Sequence, residues 1–427
     1  MDGQLIERFN QMKSAPKRVL IFSYYANLPG ACQAEWIDDK LMSFDKMNIE
    51  YCFVSSPSAQ LYKKSKVHVR CPSLSWHDYK DEIIRTREQE INILTLYLWA
   101  PFSLILGFFV DLAQKIIVKG VGEGRWSWSL TAFLSGLIIV LTKGRPDLIL
   151  TTGGPASAHI AGIILGKLIN KNVVCELQDP LSGDDIGRNS QARGLLFFVE
   201  KFLSRHASKL VYVTEAAADY AIRNVSSTAK IVAIHPGSPK LVNDVSRPQC
   251  EDSINKKYFK LLHMGSLYSS RNFDTLISAI NICRFKRPDI NFEVINLGHV
   301  EREIQSRNDC VPYIRTEALR PRIDALNFAL GSDLLLLIQN EDDRSQVTIP
   351  YKTYDYLNLG RTVLGLTNNP ELDEILKKSG HISCPVSDIN SISENLLQFV
   401  SNNTKINQQI QASPFDSEKA LLKLITI

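Results

Sequence analysis

The chain has 427 residues, 44% hydrophobic and 22% charged, which excludes a disordered or fibrous polypeptide and leaves room for about two or three domains. Its 49 Lys and Arg against 45 Asp and Glu give a formal charge of +4, too even for a protein that lives on nucleic acid. The 8 cysteines, at 32, 52, 71, 175, 250, 283, 310 and 384, form no CxxC pair, so neither a zinc knuckle nor a thioredoxin-like site is indicated and a reducing compartment fits. The opening residues 1–18 are polar and lack the apolar run of a secretory signal, so the chain is expected in the cytoplasm.

Read in order, residues 18–23 (RVLIFS) predict a strand, 32–45 a helix, and 50–54, 147–152, 173–177, 209–214 and 230–234 further strands. These are short, rich in β-branched residues and mostly alternate with helix-length segments, the pattern of a parallel sheet. A stretch rich in Pro, Ser and Asp follows residue 234 and reads as a linker. The same order then restarts: strand 258–263, loop 265–271, helix 272–284, strands 291–297 and 310–313, a helix through Ala329, strand 333–338, helix 350–359, strand 362–366 and terminal helices. The expectation is an α/β protein of two Rossmann-like, doubly wound domains with a cleft between the carboxyl ends of their sheets. The boundaries are 1–240 for the first domain, 241–257 for the linker and 258–405 for the second, with a helix in 406–427 that can pack back toward the first.

One region breaks the pattern. Residues 91–110 run 20 positions without a charge, and 126–142 another 17. Pro101 interrupts the first run, and beyond it Asp111, Gln114, Lys115 and Lys119 recur at helical spacing opposite Leu104, Phe108, Phe109, Leu112 and Ile116. Trp99, Trp126 and Trp128 are aromatics of the kind that favour membrane interfaces. Three readings stand: a helical hairpin lying in the cytoplasmic face of a membrane, a helix pair buried on the sheet, or a true span.

Two segments carry anion-binding chemistry. In 349–366 (IPYKTYDYLNLGRTVLGL), Pro350 suits a first helical turn, the preceding loop through Thr348 aims backbone N–H groups at an anion, and Lys352 reaches the same place. Asp355, three residues on, can accept from hydroxyls such as a ribose diol. In 265–279 (GSLYSSRNFDTLISA), Gly265 and Ser266 follow a strand directly and Arg271 stands at a helix start, so backbone and charge can both approach a phosphate. On the other half, Asp179, at a strand end before Pro180, is placed to orient or deprotonate a hydroxyl, or else to cap a turn. His159 follows a glycine-rich strand end and contacts either a ligand or the fold itself; His263 lies on a strand and reads as core.

Together these segments, with 311–319 (VPYIRTEAL), 332–338 (SDLLLLI), 146–159 (PDLILTTGGPASAH), 177–181 (LQDPL) and 209–215 (KLVYVTE), resemble the GT-B glycosyltransferases of family 4, the bacterial surface-polysaccharide type. The resemblance covers most of the chain in the family's order. It implies a nucleotide-sugar donor, with Arg271 and Lys352 holding the diphosphate, Gly265, Ser266 and Thr348 lining its loops and Asp355 on the ribose. Val311 and Tyr313 fall where the base is gripped. Gly30 would face the donor phosphates, and Glu35 and His159 would serve the acceptor. The family's first acid is replaced by Val347. No Asp-x-Asp occurs, so no metal and no other cofactor are expected, and cations alone would stabilise the leaving diphosphate. The resulting expectation is a retaining transferase acting on a lipid-linked or saccharide acceptor, peripheral on the inner face of the cell membrane. A GT-B nucleotide-sugar epimerase and a membrane-bound scaffold that has lost turnover are the alternatives.

Overall fold

A computed structural model describes residues 15–26, 32–57, 64–78, 94–117, 125–181, 190–225, 227–239 and 258–427. The expected linker 241–257, Gly30 and Lys119 lie outside these residues. The chain divides into two units, 1–236 with 417–427, and 237–416.

In the first unit the order is β1 (Arg18–Phe22), α1 (Cys32–Lys46), β2 (Glu50–Ser55), β3 (Val67–Arg70), α2 (Leu94–Ile117), α3 (Trp128–Lys143), β4 (Leu148–Thr152), α4 (Ala156–Ile169), β5 (Asn172–Leu177), α5 (Ser190–His206), β6 (Lys209–Tyr212), α6 (Glu215–Asn224) and β7 (Lys230–Ala233). Its seven strands pair in parallel in the order β3-β2-β1-β4-β5-β6-β7. β1 and β4 are buried along nearly their whole length, as strands covered on both faces must be.

The second unit runs β8 (Tyr258–Met264), α7 (Asp274–Lys286), β9 (Asn291–Leu297), α8 (Arg302–Asn308), β10 (Ile314–Glu317), α9 (Arg322–Leu330), β11 (Leu334–Ile338), α10 (Lys352–Leu359), β12 (Thr362–Leu366), α11 (Pro370–Lys378), β13 (Ile382–Cys384) and α12 (Ile389–Gln409). Its sheet is again all parallel, in the order β10-β9-β8-β11-β12-β13. The last helix, α13 (Ser417–Ile425), belongs to the first unit. Lys46 pairs with Glu418 at 3.2 Å, and the Lys209 ammonium caps the end of α13 through the Lys423 carbonyl at 2.9 Å.

Two expectations need correcting. The strand expected at 310–313 lies at β10 instead, because the Val311 N–H turns back to Asn308 and Pro312 has no N–H for a ladder. The uncharged run 126–142 is the helix α3 that leads into β4 and packs beside α4 over the sheet, not a separate hairpin. Trp128 is fully buried and donates its indole N–H to the Cys71 carbonyl at 2.9 Å, so it is a core residue.

The outward sides of these helices are nonetheless apolar. Leu130, Leu134, Ile138 and Leu141 are exposed along α3, with Ile164 and Leu168 on α4 and Phe198 on α5. α2 is inverted relative to a helix on a water-facing surface. Its Asp111 turns inward to accept from the Ser75 hydroxyl at 2.6 Å and the His77 N–H at 3.3 Å, while Phe108, Phe109, Leu112 and Ile116 face out. Among the described residues no helix is long and apolar enough to cross a membrane.

Candidate functional site

In each sheet the strand order reverses at one point, between β1 and β4 and between β8 and β11. In open parallel sheets ligands bind outside the carboxyl ends of the strands at that reversal. In the second unit, the loops leaving β8 and β11 are the segments that carry Arg271 and lead to Lys352.

β8 ends in His263-Met264-Gly265. Gly265 (φ +135°) and Gly298 (φ +148°), which follows β9, both occupy backbone conformations that favour glycine. A Cβ on Gly298 would come within 2.6 Å of the Gly265 carbonyl oxygen, so the two turns lie flat against each other. The Tyr268 and Arg271 backbones then exchange hydrogen bonds at 2.9 and 2.8 Å, closing a small turn that sets Arg271 over the Tyr268 ring, 5.2 Å from its centre. The Tyr268 hydroxyl ties this turn to Asn340, just beyond β11, at 3.2 Å.

α10 docks on the end of β8 through residues one turn apart. Lys352 Nζ donates to the Met264 carbonyl at 2.9 Å, and the Tyr356 hydroxyl oxygen accepts the Met264 N–H at 2.9 Å. Lys352 Nζ also contacts His263 Nε2 at 2.7 Å. Burial, and after it the Arg271 charge, hold the Lys352 pKa well below its ordinary value. Burial holds His263 neutral, helped by the charges of Lys352 and Arg271. Two cations therefore stand close enough to repel, and the buried Arg271 Nε has no hydrogen-bond partner among the described residues. An anion between them would relieve both conditions.

The loop entering α10 is held by a buried amide pair. Gln339 Nε2 donates to the Thr348 carbonyl at 2.8 Å and to that of Ser345 at 3.3 Å. Asn369 Nδ2 donates to the same two carbonyls at 3.0 and 2.9 Å. The Thr367 hydroxyl, bonded to Gln339 Oε1, fixes the orientation of that amide. The segment that feeds Lys352 into the site is thus set by residues that never face it.

The structure brings Gly265, Arg271, Thr348 and Lys352 to the loop edge of this sheet, with Ser266 exposed beside them. It does not bring Val311 and Tyr313 there. Both precede β10, and the Tyr313 hydroxyl turns to α7, donating to Asn281 Oδ1 at 3.0 Å. The chain reaches the loop edge only after β10, where the Glu317 carbonyl accepts the Gly298 N–H at 3.1 Å. Asp355 is not open to a ribose diol: it is buried and ion-paired with Arg322 at 2.5 Å, while Ser238 donates to the same oxygen at 2.6 Å.

On the first unit, Asp179 lies in the bend after β5 and Glu35 is half-buried in the first turn of α1. His159 is fully buried in α4, not facing a ligand. Its Nε2–H donates to the Gly153 carbonyl at 3.3 Å and its Nδ1 accepts from the Thr151 hydroxyl at 2.7 Å. Burial pushes its pKa down to about 4. Among the described residues no cluster of His, Cys, Asp or Glu could hold a metal ion. Sequence reasoning missed His263, Asn296, Tyr356 and the Gln339–Asn369 clamp. The available signal was a polar residue in the second-last position of each strand, His263 in β8 and Asn296 in β9.

The chain is thus two doubly wound, Rossmann-like α/β units, the second with Arg271 and Lys352 at its strand-order reversal. Residues 108–237 match the glycosyl transferase 4-like domain. The search of curated protein sequences returns no match. Among solved structures the chain is similar to HepE from Anabaena with UDP and glucose (12% identity, 96% of this chain and 98% of that one, TM-score 0.60). It is also similar to the sucrose-phosphate synthase of Thermosynechococcus elongatus (9%, 96% and 95%, 0.56). A third is the lipopolysaccharide outer core galactosyltransferase WaaB (10%, 96% and 99%, 0.55). These likenesses establish the GT-B fold. Within that fold, residues 108–237 carry the glycosyl transferase 4-like domain.

Proposed function

We propose that the protein moves a sugar from a nucleotide-sugar donor to a lipid-linked or saccharide acceptor at the cytoplasmic face of the membrane, with retention and without a metal. The observation that carries this reading is the pair Arg271 and Lys352 at the β8–β11 reversal, two mutually repelling cations, the first with a buried Nε that has no hydrogen-bond partner among the described residues. As the glycosidic bond to the donor breaks, negative charge grows on the diphosphate, and fixed cations stabilise that charge more than the ground state. The absence of any Asp-x-Asp in the sequence agrees with cations in place of a metal bridge. The complex of HepE with UDP and glucose supports a nucleotide-sugar ligand.

The membrane element of the proposal is supported by α2, whose Asp111 turns to the protein and whose Phe108, Phe109, Leu112 and Ile116 face out, next in sequence to the apolar outer side of α3. Such a surface suits burial in the headgroup–acyl boundary. The test is turnover of UDP-, GDP- and dTDP-sugars by the full chain with lipid vesicles from a polysaccharide-producing membrane, read as nucleoside diphosphate release and product mass. Release that depends on vesicles or a saccharide supports the proposal. An altered nucleotide sugar formed without acceptor would make the protein an epimerase, and binding without turnover would make it a scaffold.

A further inference from the structure

We infer that His263 and Asn296 are positioning residues that aim the Lys352 ammonium at the donor diphosphate; the inference deepens the donor-site reading and rests on it. The two residues are register partners on adjacent strands and both are fully buried. Their contact, His263 Nδ1 to Asn296 Oδ1 at 2.7 Å, runs in one direction only, because an amide oxygen accepts and Nδ1–H must donate. The Asn296 amide cannot turn over without losing its donation to the Gly298 carbonyl at 3.3 Å. His263 is therefore the tautomer with a bare Nε2, and that lone pair accepts from Lys352 Nζ at 2.7 Å.

A lysine ammonium is a compact charge on a flexible stem with three donors. Here His263 Nε2 takes one and the Met264 carbonyl a second, which leaves the third for a ligand oxygen. Burial, with the charges of Lys352 and Arg271, keeps His263 neutral and so keeps Nε2 an acceptor. Asn296 also links the cation to the backbone it works beside, since Gly298 lies against Gly265. One buried amide thus sets both the direction of the charge and the Gly298 turn packed on Gly265.

The test is calorimetric titration of the full chain with the tightest-binding of UDP, GDP and dTDP, using His263→Phe, Lys352→Ala and both together. A hydrogen bond to a charged group predicts that His263→Phe weakens binding about tenfold. It predicts no further loss when Lys352→Ala is already present. His263→Gln, whose side-chain oxygen can accept near the Nε2 position, recovers most of the affinity, and Asn296→Leu loses affinity only while Lys352 is present. Equal losses from His263→Phe in both backgrounds, or no recovery by His263→Gln, overturn the relay and leave the donor site standing. Wild-type affinity in Lys352→Ala, or no binding of any diphosphate by the wild type, overturns the donor site itself.

Discussion

The loop edges of the two sheets are built from the same residue types and differ in how those residues are satisfied. In the first unit, Lys40 pairs with Glu176 at 3.0 Å, Thr152 donates to the other Glu176 oxygen at 2.5 Å, and both nitrogens of His159 are engaged. In the second, Arg271 Nε is buried without a partner among the described residues, and Lys352 bonds an imidazole nitrogen and a carbonyl, with the Arg271 charge adding to burial in lowering its pKa. A charge whose partner lies within the fold holds the fold together. A charge whose natural partner is missing marks where a ligand is to supply it.

The sharpest way to break this contrast is Lys352→Ala. With one of the two cations of the proposed donor site gone, turnover is expected to fall about a hundredfold to a thousandfold while the thermal midpoint stays near that of the wild type. A large loss of stability with little change in turnover would reverse the assignment. The paired charges should respond the opposite way. Arg322→Ala strands the buried Asp355 carboxylate and is expected to cost about 3 kcal/mol in urea unfolding.

Asn369→Ala removes two donations to the loop before α10 and the cap that accepts the Leu372 N–H at 3.0 Å. It is expected to cost about 2 kcal/mol and to weaken diphosphate binding by less than Lys352→Ala does. The smallest effect concerns pH. Burial lowers His68, His159 and His381 to about 4 from an ordinary 6.5. The unfolded chain therefore takes up protons that the folded chain refuses, and the stability present above pH 6.5 is lost as pH falls toward 4. His159→Gln should make the midpoint fall less steeply across that window, as seen by thermal melts at stepped pH.

Much of the architecture was legible because buried parallel strands announce themselves as short apolar runs; β11, with Leu334–Ile338 wholly buried, is one such run. β3 and β13 escaped because they are brief strands at sheet edges, with partly exposed residues and little apolar signal. Arg271 and Lys352 were legible because strand–glycine turns and Pro-led helices have local sequence marks. Asp355 and Val311 were misread for a different reason. Whether Asp355 meets a ribose or Arg322 is decided by a residue 33 positions away, and whether Val311 reaches the loop edge depends on the register of β10 against β9. Tertiary pairing of that kind leaves no mark on the local sequence. The outward apolar side of α2 was legible as a pattern, but its direction relative to the protein was not.

The most direct measurement is hydrogen exchange of the full chain with and without the nucleoside diphosphate that binds it most tightly. The account predicts slowed exchange in residues 264–271 and 346–353, with the 153–159 segment of the first unit unchanged. Protection concentrated in 153–159, with 264–271 and 346–353 unaffected, would contradict it.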